Sequence, residues 1–458
     1  MENTRQYPRF LIGAAASGSG KTLITCGILQ ALKNRGLRTA SFKCGPDYID
    51  PMFHSRVIGT KSRNLDTFFA DTNTVRYLLA KNASDCEISV IEGVMGYYDG
   101  LAGISSEGSA YDVAVKTGTP AVLIVNCKGM SVSVVPYIKG FLEYKQDSMI
   151  RGVILNQVSP MMYPRMKEMI EAQLSIKVYG YVPAVKDCVL ESRHLGLVMP
   201  EEIRDLREKL QELAEIIEKS VDVDGLLQMA KSAEKYASVN EPEFYHVKRP
   251  VRIAVAKDEA FCFFYEDNLE LLRRMGAELV EFSPIHDDRL PEQIQGLILN
   301  GGYPELYGRQ LSENHSMRDS IRQALAAGMP HTAECGGFMY LHDYMEDMDG
   351  KLWPMVGSIA GKAYRTQKLT RFGYIILEEG RCFGEDAGLI PAHEFHYFDS
   401  ENCGSEFTAK KPLSKRSWKC IHSDAARMVG FPHLYYYGNV RVPEAFVKVC
   451  EKYAKSQE

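Results

Sequence analysis

RFLIGAAASGSGKTLITCGILQALKNRG, residues 9–36, changes its apolar pattern along its length. Arg9 to Ala14 is a short, almost unbroken apolar run, as in a strand buried on both faces. From Lys21 onward the apolar residues recur at helical spacing. The intervening AASGSGKT, residues 15–22, follows the phosphate-binding pattern GxxxxGK[ST], with Ala15 where the first glycine stands. Alanine serves there if its φ stays negative. Gly18 and Gly20 let backbone amides approach phosphate oxygens, with Ser17 and Ser19 between them. Lys21 can reach the β and γ oxygens, and the Thr22 hydroxyl can hold Mg²⁺. The competing reading, a glycine-rich turn without nucleotide, leaves the strand–loop–helix context unused.

Outward from this unit, short apolar runs alternate with helical stretches: RTASFKCG, ISVIEG, PAVLIVN and RGVILNQV. Such alternation predicts an open, mostly parallel sheet covered on both faces. Residues 201–237 read as charged helix, and the polar stretch ASVNEPEFYHVKRP leads to a new strand, VRIAVAKD. The expected division is therefore 1–244 and 245–458, the second part again alternating through RIAVA, ELVEFSP, GLILNGG and PHTAE. Two domains also suit 458 residues.

A net charge of −5 and a pI near 6.2 give no reason to expect nucleic acid or an anionic membrane surface. No apolar stretch suffices for a membrane span, and the start, MENTRQYPRF, lacks a signal-peptide core. Eleven cysteines without a CxxC pair or His/Cys metal spacing suit a reducing cytoplasm.

Glu92 closes the run ISVIE, and the carboxyl ends of parallel strands face the ligand crevice, which makes it a candidate Mg²⁺ ligand beside Thr22. SFKCGPDYIDP offers Lys43, Asp47 and Asp50 from another strand end. A lysine there could neutralise charge on a transferred phosphoryl group, although surface charge explains Lys43 and Asp50 equally well. In MPHTAECGGFMYL, residues 329–341, Cys335 sits at a strand-to-helix turn. Either it is a small apolar core residue or it is a thiol displayed where backbone amides stabilise an anion.

SGSGKT, FKCGPDYIDPMFH, SRNLDTFF, IEGVMGYYDG, GVILNQV, ESRHLGLV, NGGYPELY, AECGGFMYL and HEFHYF, in this order over nearly the whole chain, resemble the cobyrinic acid a,c-diamide synthase family. The resemblance implies a dethiobiotin synthetase-like P-loop domain followed by a class I glutamine amidotransferase domain. ATP would convert a substrate carboxylate to an acyl phosphate, and ammonia from L-glutamine would displace phosphate to give an amide. The family acts on the a and c carboxylates of cobyrinic acid, a cobalt tetrapyrrole, in cobalamin biosynthesis.

Carried over by residue, the resemblance implies phosphate and metal roles for Lys21, Thr22 and Glu92, with Lys43 as a second active-site lysine and Asp47 as its acidic neighbour. Asn156 would meet adenine. Tyr48, Arg63, Asp66, Arg193 and His194 are candidates for substrate contact or, equally, for loop-stabilising hydrogen bonds. Cys335 would be the nucleophile and His433 its base, with the amides around Gly302 and Gly336 as oxyanion hole. The acid that often lies two residues beyond the histidine is here Tyr435, and Asn300 replaces a usual glycine. His393 and His396 read either as core histidines or as residues bordering an interface or the macrocycle.

The same chemistry on Ni-sirohydrochlorin or hydrogenobyrinic acid stays open, as does a homodimer. A P-loop ATPase switch is the alternative of another class, and it leaves Cys335 and His433 idle. A third reading makes the second half a degenerate amidotransferase that only binds substrate.

Overall fold

The computed structural model describes residues 4–185, 200–237 and 239–457, and the chain forms two compact units, Met1–Glu241 and Pro242–Glu458. The first is built on seven parallel strands: β1 (Arg9–Ala14), β2 (Thr39–Cys44), β3 (Lys61–Leu65), β4 (Ile88–Glu92), β5 (Ala121–Asn126), β6 (Ile150–Asn156) and β7 (Lys177–Val182). Their order across the sheet is β3-β2-β4-β1-β5-β6-β7. Every residue of β1, β2 and β4 is buried, the polar Thr39, Ser41 and Lys43 of β2 included, because helices cover both faces. Helix α1 (Lys21–Asn34) packs on the sheet, and α3 (Pro200–Ser220) adds Leu210, Ala214 and Ile217 to the same core as Ile24 and Ile28 of α1. Between them in sequence comes the short α2 (Ile49–Phe53). The helix Val223–Ala230 completes the helical stretch that the charge pattern predicted.

Arg9, the first residue of β1, is fully buried. Its guanidinium donates to Thr119 Oγ1 at 2.9 Å, Tyr7 O at 2.8 Å, Thr117 O at 2.5 Å and Glu234 O at 3.0 Å. It also lies 4.5 Å from the centre of the Tyr236 ring. The cation is tolerated because every face of the fork meets an acceptor or an aromatic ring.

The second unit centres on β8 (Val251–Ala256), β9 (Ala277–Phe282), β10 (Gly296–Leu299), β11 (His331–Glu334) and β12 (Arg427–Gly430). They run parallel in the order β12-β11-β10-β8-β9, with His422–Ser423 antiparallel on the outer edge. The alternation pattern did not foresee two further sheets. One has four strands, and the other is a five-stranded antiparallel sheet that includes Arg371–Glu378, Ile390–His396 and His433–Leu434. Their strands mix exposed and buried residues, as in Ile390–His396, so they lack the continuous apolar signature.

Two histidines tie this unit's stability to pH. His331 Nδ1 lies 2.9 Å from Met329 O, and His342 is held between Phe338 O at 2.9 Å and Ser400 Oγ at 2.6 Å. Burial lowers both pKa values from 6.5 to about 4. Between those limits the unfolded chain binds protons that the folded chain does not. The contribution is therefore complete above the unfolded value and is lost as pH falls toward the folded one. Each histidine contributes on the order of 3 kcal/mol over that window. Urea unfolding at about pH 7 and about pH 4.5 is expected to show a markedly lower midpoint in acid, with His342→Asn narrowing the difference. A difference unchanged by that substitution would remove His342 from the account.

Candidate functional site

In the first unit β1 hands the chain to the loop at residues 15–20 and then to α1. Gly18 and Gly20 have φ of 76° and 95°, whereas Ala15 stays out of the left-handed region, so alanine is accommodated there. Ser17 is exposed and Ser19 buried. Lys21 Nζ donates to Met95 O at 2.5 Å and lies 3.5 Å from Ala16 O, folded back over the loop. Burial and the neighbouring Lys43 lower its pKa.

Strand register gathers the rest. Glu92 stands opposite Ile12 of β1 and Lys43 of β2. Its Oε1 accepts from Thr22 Oγ1 at 2.7 Å and from Lys43 Nζ at 2.9 Å, while Oε2 lies 3.3 Å from His54 Nε2. Lys43 Nζ also meets Asp50 Oδ2 at 2.5 Å. Glu92 and His54 are fully buried, and Lys43 and Asp50 nearly so. Burial opposes the Glu92 carboxylate, but Lys43 and His54 outweigh it and hold the pKa well below the carboxylate range. Burial likewise opposes the Lys43 ammonium, and Glu92 and Asp50 reverse the effect. Burial raises Asp50 to about 8, with Glu92 adding to the rise and Lys43 opposing it. The cluster therefore holds one firm anion, Glu92, and one firm cation, Lys43.

A hydroxyl hydrogen-bonded to a buried, ionised carboxylate beside a phosphate loop suits Mg²⁺, a hard cation that takes few protein oxygens. Thr22 and Glu92 supply that pair. Asp47 Oδ1 accepts the amides of Ile49 at 2.7 Å and Asp50 at 3.4 Å at the start of α2, and its charge also acts on Lys43. Among the described residues no three His, Cys, Asp or Glu side chains gather as a metal cage.

Asn156 closes the loop from the far side. Its Nδ2 donates to Ser19 O and its Oδ1 accepts from the Gln157 amide, both at 2.9 Å, so the side chain braces the phosphate loop. Of the candidate substrate residues, Tyr48 is buried at the start of α2, and Arg63 Nη1 donates to Ser62 O at 2.7 Å. Asp66 Oδ1 accepts the amides of Phe68 and Phe69 at 2.8 and 3.1 Å, a loop-stabilising arrangement. Arg193 and His194 lie outside the described residues. His54, the last residue of FKCGPDYIDPMFH, carries no sequence signal that assigns it to this cluster.

In the second unit β11 runs into Cys335 and then α4 (Gly336–Tyr340). Cys335 has φ 46° and ψ −105°, a strained conformation that turns the side chain away from the strand. Its amide donates to Gly430 O at 2.9 Å and its carbonyl accepts from Met339 at 2.9 Å. Glu334 registers with Gly430 on β12, so His433, just beyond that strand, comes alongside the turn. His433 Nδ1 lies 3.5 Å from Glu334 Oε2. The His433 ring stacks on His393, with centres 4.9 Å apart and planes 16° from parallel, and Tyr265 Oη lies 2.9 Å from His393 Nε2. Tyr435 packs edge-on against Tyr265 and donates to Asp267 Oδ2 at 3.3 Å. Position 435 offers no carboxylate, and Glu334 is an acid that lies beside the His433 ring. Its only sequence signal was adjacency to the cysteine.

The backbone is tight here. A β-carbon on Gly301 would stand 2.6 Å from His433 Cε1, and one on Gly336 would stand 3.1 Å from Gly302 N. The two amides expected to form an oxyanion hole therefore belong to neighbouring residues in space. Burial raises the Cys335 thiol pKa strongly, Glu305 adds to the rise, and the Gly336 amide partly offsets it. A thiol in this setting needs a base to ionise it. His396 is a satisfied core histidine, 2.8 Å from Glu394 Oε2 and 2.6 Å from Phe398 O.

Residues 10–197 match the family described as the CobQ/CobB/MinD/ParA nucleotide binding domain, and residues 252–427 match the CobB/CobQ-like glutamine amidotransferase domain. A cobyrinate a,c-diamide synthase of Caldanaerobacter subterraneus subsp. tengcongensis is 38% identical over 97% of this chain and 99% of its own length. One of Listeria innocua serovar 6a is 39% identical over 94% and 97%, and one of Priestia megaterium 34% identical over 98% of each.

Proposed function

The chain belongs to the cobyrinate a,c-diamide synthase family, and from that premise we propose that it amidates the a and c carboxylates of cobyrinic acid with ATP and L-glutamine. It is a glutamine-hydrolysing amidotransferase ligase of cobalamin biosynthesis. No helix among the described residues is long and apolar enough to cross a membrane, and we place the reaction in the cytoplasm.

The chemistry must first make a carboxylate electrophilic. The loop amides of residues 17–20 and Lys21 bind the phosphates of ATP, with Asn156 keeping the loop in shape. Thr22 and Glu92 would hold Mg²⁺, which when bound would supply charge neutralisation on the phosphate oxygens. Lys43 stabilises charge on the phosphoryl group as a substrate carboxylate oxygen attacks γ-phosphorus and ADP departs. The product is an acyl phosphate.

In the second unit Cys335 attacks the glutamine side-chain carbon while His433 takes the thiol proton. The amides of Gly302 and Gly336 donate to the oxyanion. As the C–N bond breaks, His433 returns the proton to the departing nitrogen, leaving a γ-glutamyl thioester that water hydrolyses. Ammonia then attacks the acyl phosphate and releases inorganic phosphate.

One observation carries this reading: a single chain holds both the Thr22–Glu92–Lys43 linkage at a phosphate loop and a strained Cys335 beside the Glu334–His433 pair. Cobyrinic acid, hydrogenobyrinic acid and Ni-sirohydrochlorin, each offered with ATP, Mg²⁺ and glutamine, would be followed by liquid chromatography and mass spectrometry. Cobyrinic acid is expected to gain the mass of two amidations with the highest kcat/KM. Preference for either other acid would reassign the substrate, and ATP turnover without amide would favour a nucleotide switch.

A further inference from the structure

Glu305 lies in the motif NGGYPELY, on the short turn Pro304–Leu306. That turn is packed onto the residue after the nucleophile: a β-carbon on Gly336 would stand 2.8 Å from Pro304 Cδ and 3.1 Å from Gly302 N. The turn that carries Glu305 is therefore seated against the residue after the thiol and beside the proposed oxyanion donors. Its side chain is surrounded by protein yet keeps partial solvent contact. Among the described residues its carboxylate forms no ion pair, and its one hydrogen bond comes from its own amide. Arg365 attracts it only through space. Of the carboxylates that act on Cys335, Glu305 acts most strongly, ahead of Glu394 and Glu334.

A carboxylate whose charge reaches a nucleophile carries a cost, because it opposes the thiolate that the reaction needs. Burial has already raised Glu305 itself to about 7. The arrangement makes chemical sense if a cation arrives with the substrate, and free L-glutamine carries one on its α-nitrogen. Resting on the reading of Cys335 as the nucleophile, we propose that Glu305 binds the α-ammonium of glutamine, so that the amino acid both docks on this carboxylate and cancels its opposition to the thiolate. Glu305 is thus a specificity residue for a free amino acid, and the thiol is readied by the substrate it attacks.

Two reagents separate this role from a structural one. 6-Diazo-5-oxo-L-norleucine carries the amino-acid head of glutamine, whereas iodoacetamide is neutral and lacks it. In the full-length chain, Glu305→Gln is expected to slow Cys335 labelling by the diazo ketone about 30- to 100-fold. The same substitution is expected to quicken labelling by iodoacetamide several-fold at about pH 7.5, since thiolate fraction rises faster than nucleophilicity falls. In turnover KM for glutamine should rise far more than kcat falls, and ammonium-driven synthesis should persist as the check on folding. Equal slowing with both reagents, or no change with either, would overturn the proposal. Failure of the unsubstituted chain to be labelled at Cys335 would instead remove the nucleophile reading and the proposal with it.

Discussion

Cys335→Ala is expected to lose glutamine-driven amidation by at least about 10³-fold while amidation driven by high ammonium stays close to the unsubstituted rate. Alanine keeps the β-carbon, so the strained backbone at φ 46° is neither relieved nor worsened. What disappears is the sulfur that His433 would deprotonate. The phosphate loop and Glu92 lie in a unit separate from Cys335, so the route from carboxylate to acyl phosphate stays intact and external ammonia completes it. Lys21→Ala supplies the contrast, because loss of the phosphate cradle ends synthesis from either nitrogen source. Paired assays with glutamine and ammonium chloride decide the matter. Undiminished glutamine use by Cys335→Ala would force a different nucleophile.

The second large effect belongs to Glu92. Glu92→Gln keeps the volume but removes the anion that Thr22, Lys43 and His54 all face. Left alone, Lys43 would be a buried cation without a full counter-ion, a change that usually costs about 3–5 kcal/mol. Here Asp50 is already 2.5 Å from Lys43 Nζ, and its pKa is raised largely by burial and by Glu92. Once the Glu92 charge is gone, Asp50 ionises more readily and takes over the pairing. The fold should therefore survive while Mg²⁺ affinity falls and synthesis from both nitrogen sources drops about 10²- to 10³-fold. Mg²⁺ titration of nucleotide binding, with thiol alkylation of Cys335 as control, would show it. Wild-type Mg²⁺ dependence in Glu92→Gln would place the metal elsewhere.

These outcomes mark how far the linear order of residues could be read. Strands β1, β4, β5 and β6 were visible because their runs are mostly apolar on both faces, and β2 because its short run TASFKC stops at a glycine in step with them. The two strands of this sheet that went unnoticed, β3 and β7, are its edges. KSRNL has a single apolar residue, its buried Asn64 being satisfied by Gly45 O and Asp47 O, and Gly180 interrupts β7. Cys335, His433, Lys43 and Glu92 could be named from motifs. Their partners could not, because parallel register sets Lys43 against Glu92 and Glu334 against Gly430 across long stretches of chain. Asp47 adds a role that the motif does not reveal: its Oδ1 accepts the Ile49 amide where α2 begins.

The sealed guanidinium of Arg9 bears on where this chain can be divided. Ending a fragment after Ala230 would retain every strand of the first unit yet remove the Glu234 carbonyl and the Tyr236 ring that close around the cation. Tyr236 also exchanges backbone hydrogen bonds with Arg5, so the opening residues would lose their seat together with it. The shortest piece able to stand alone is therefore set by a lid of a few residues, and a recombinant first half has to run through to Glu241.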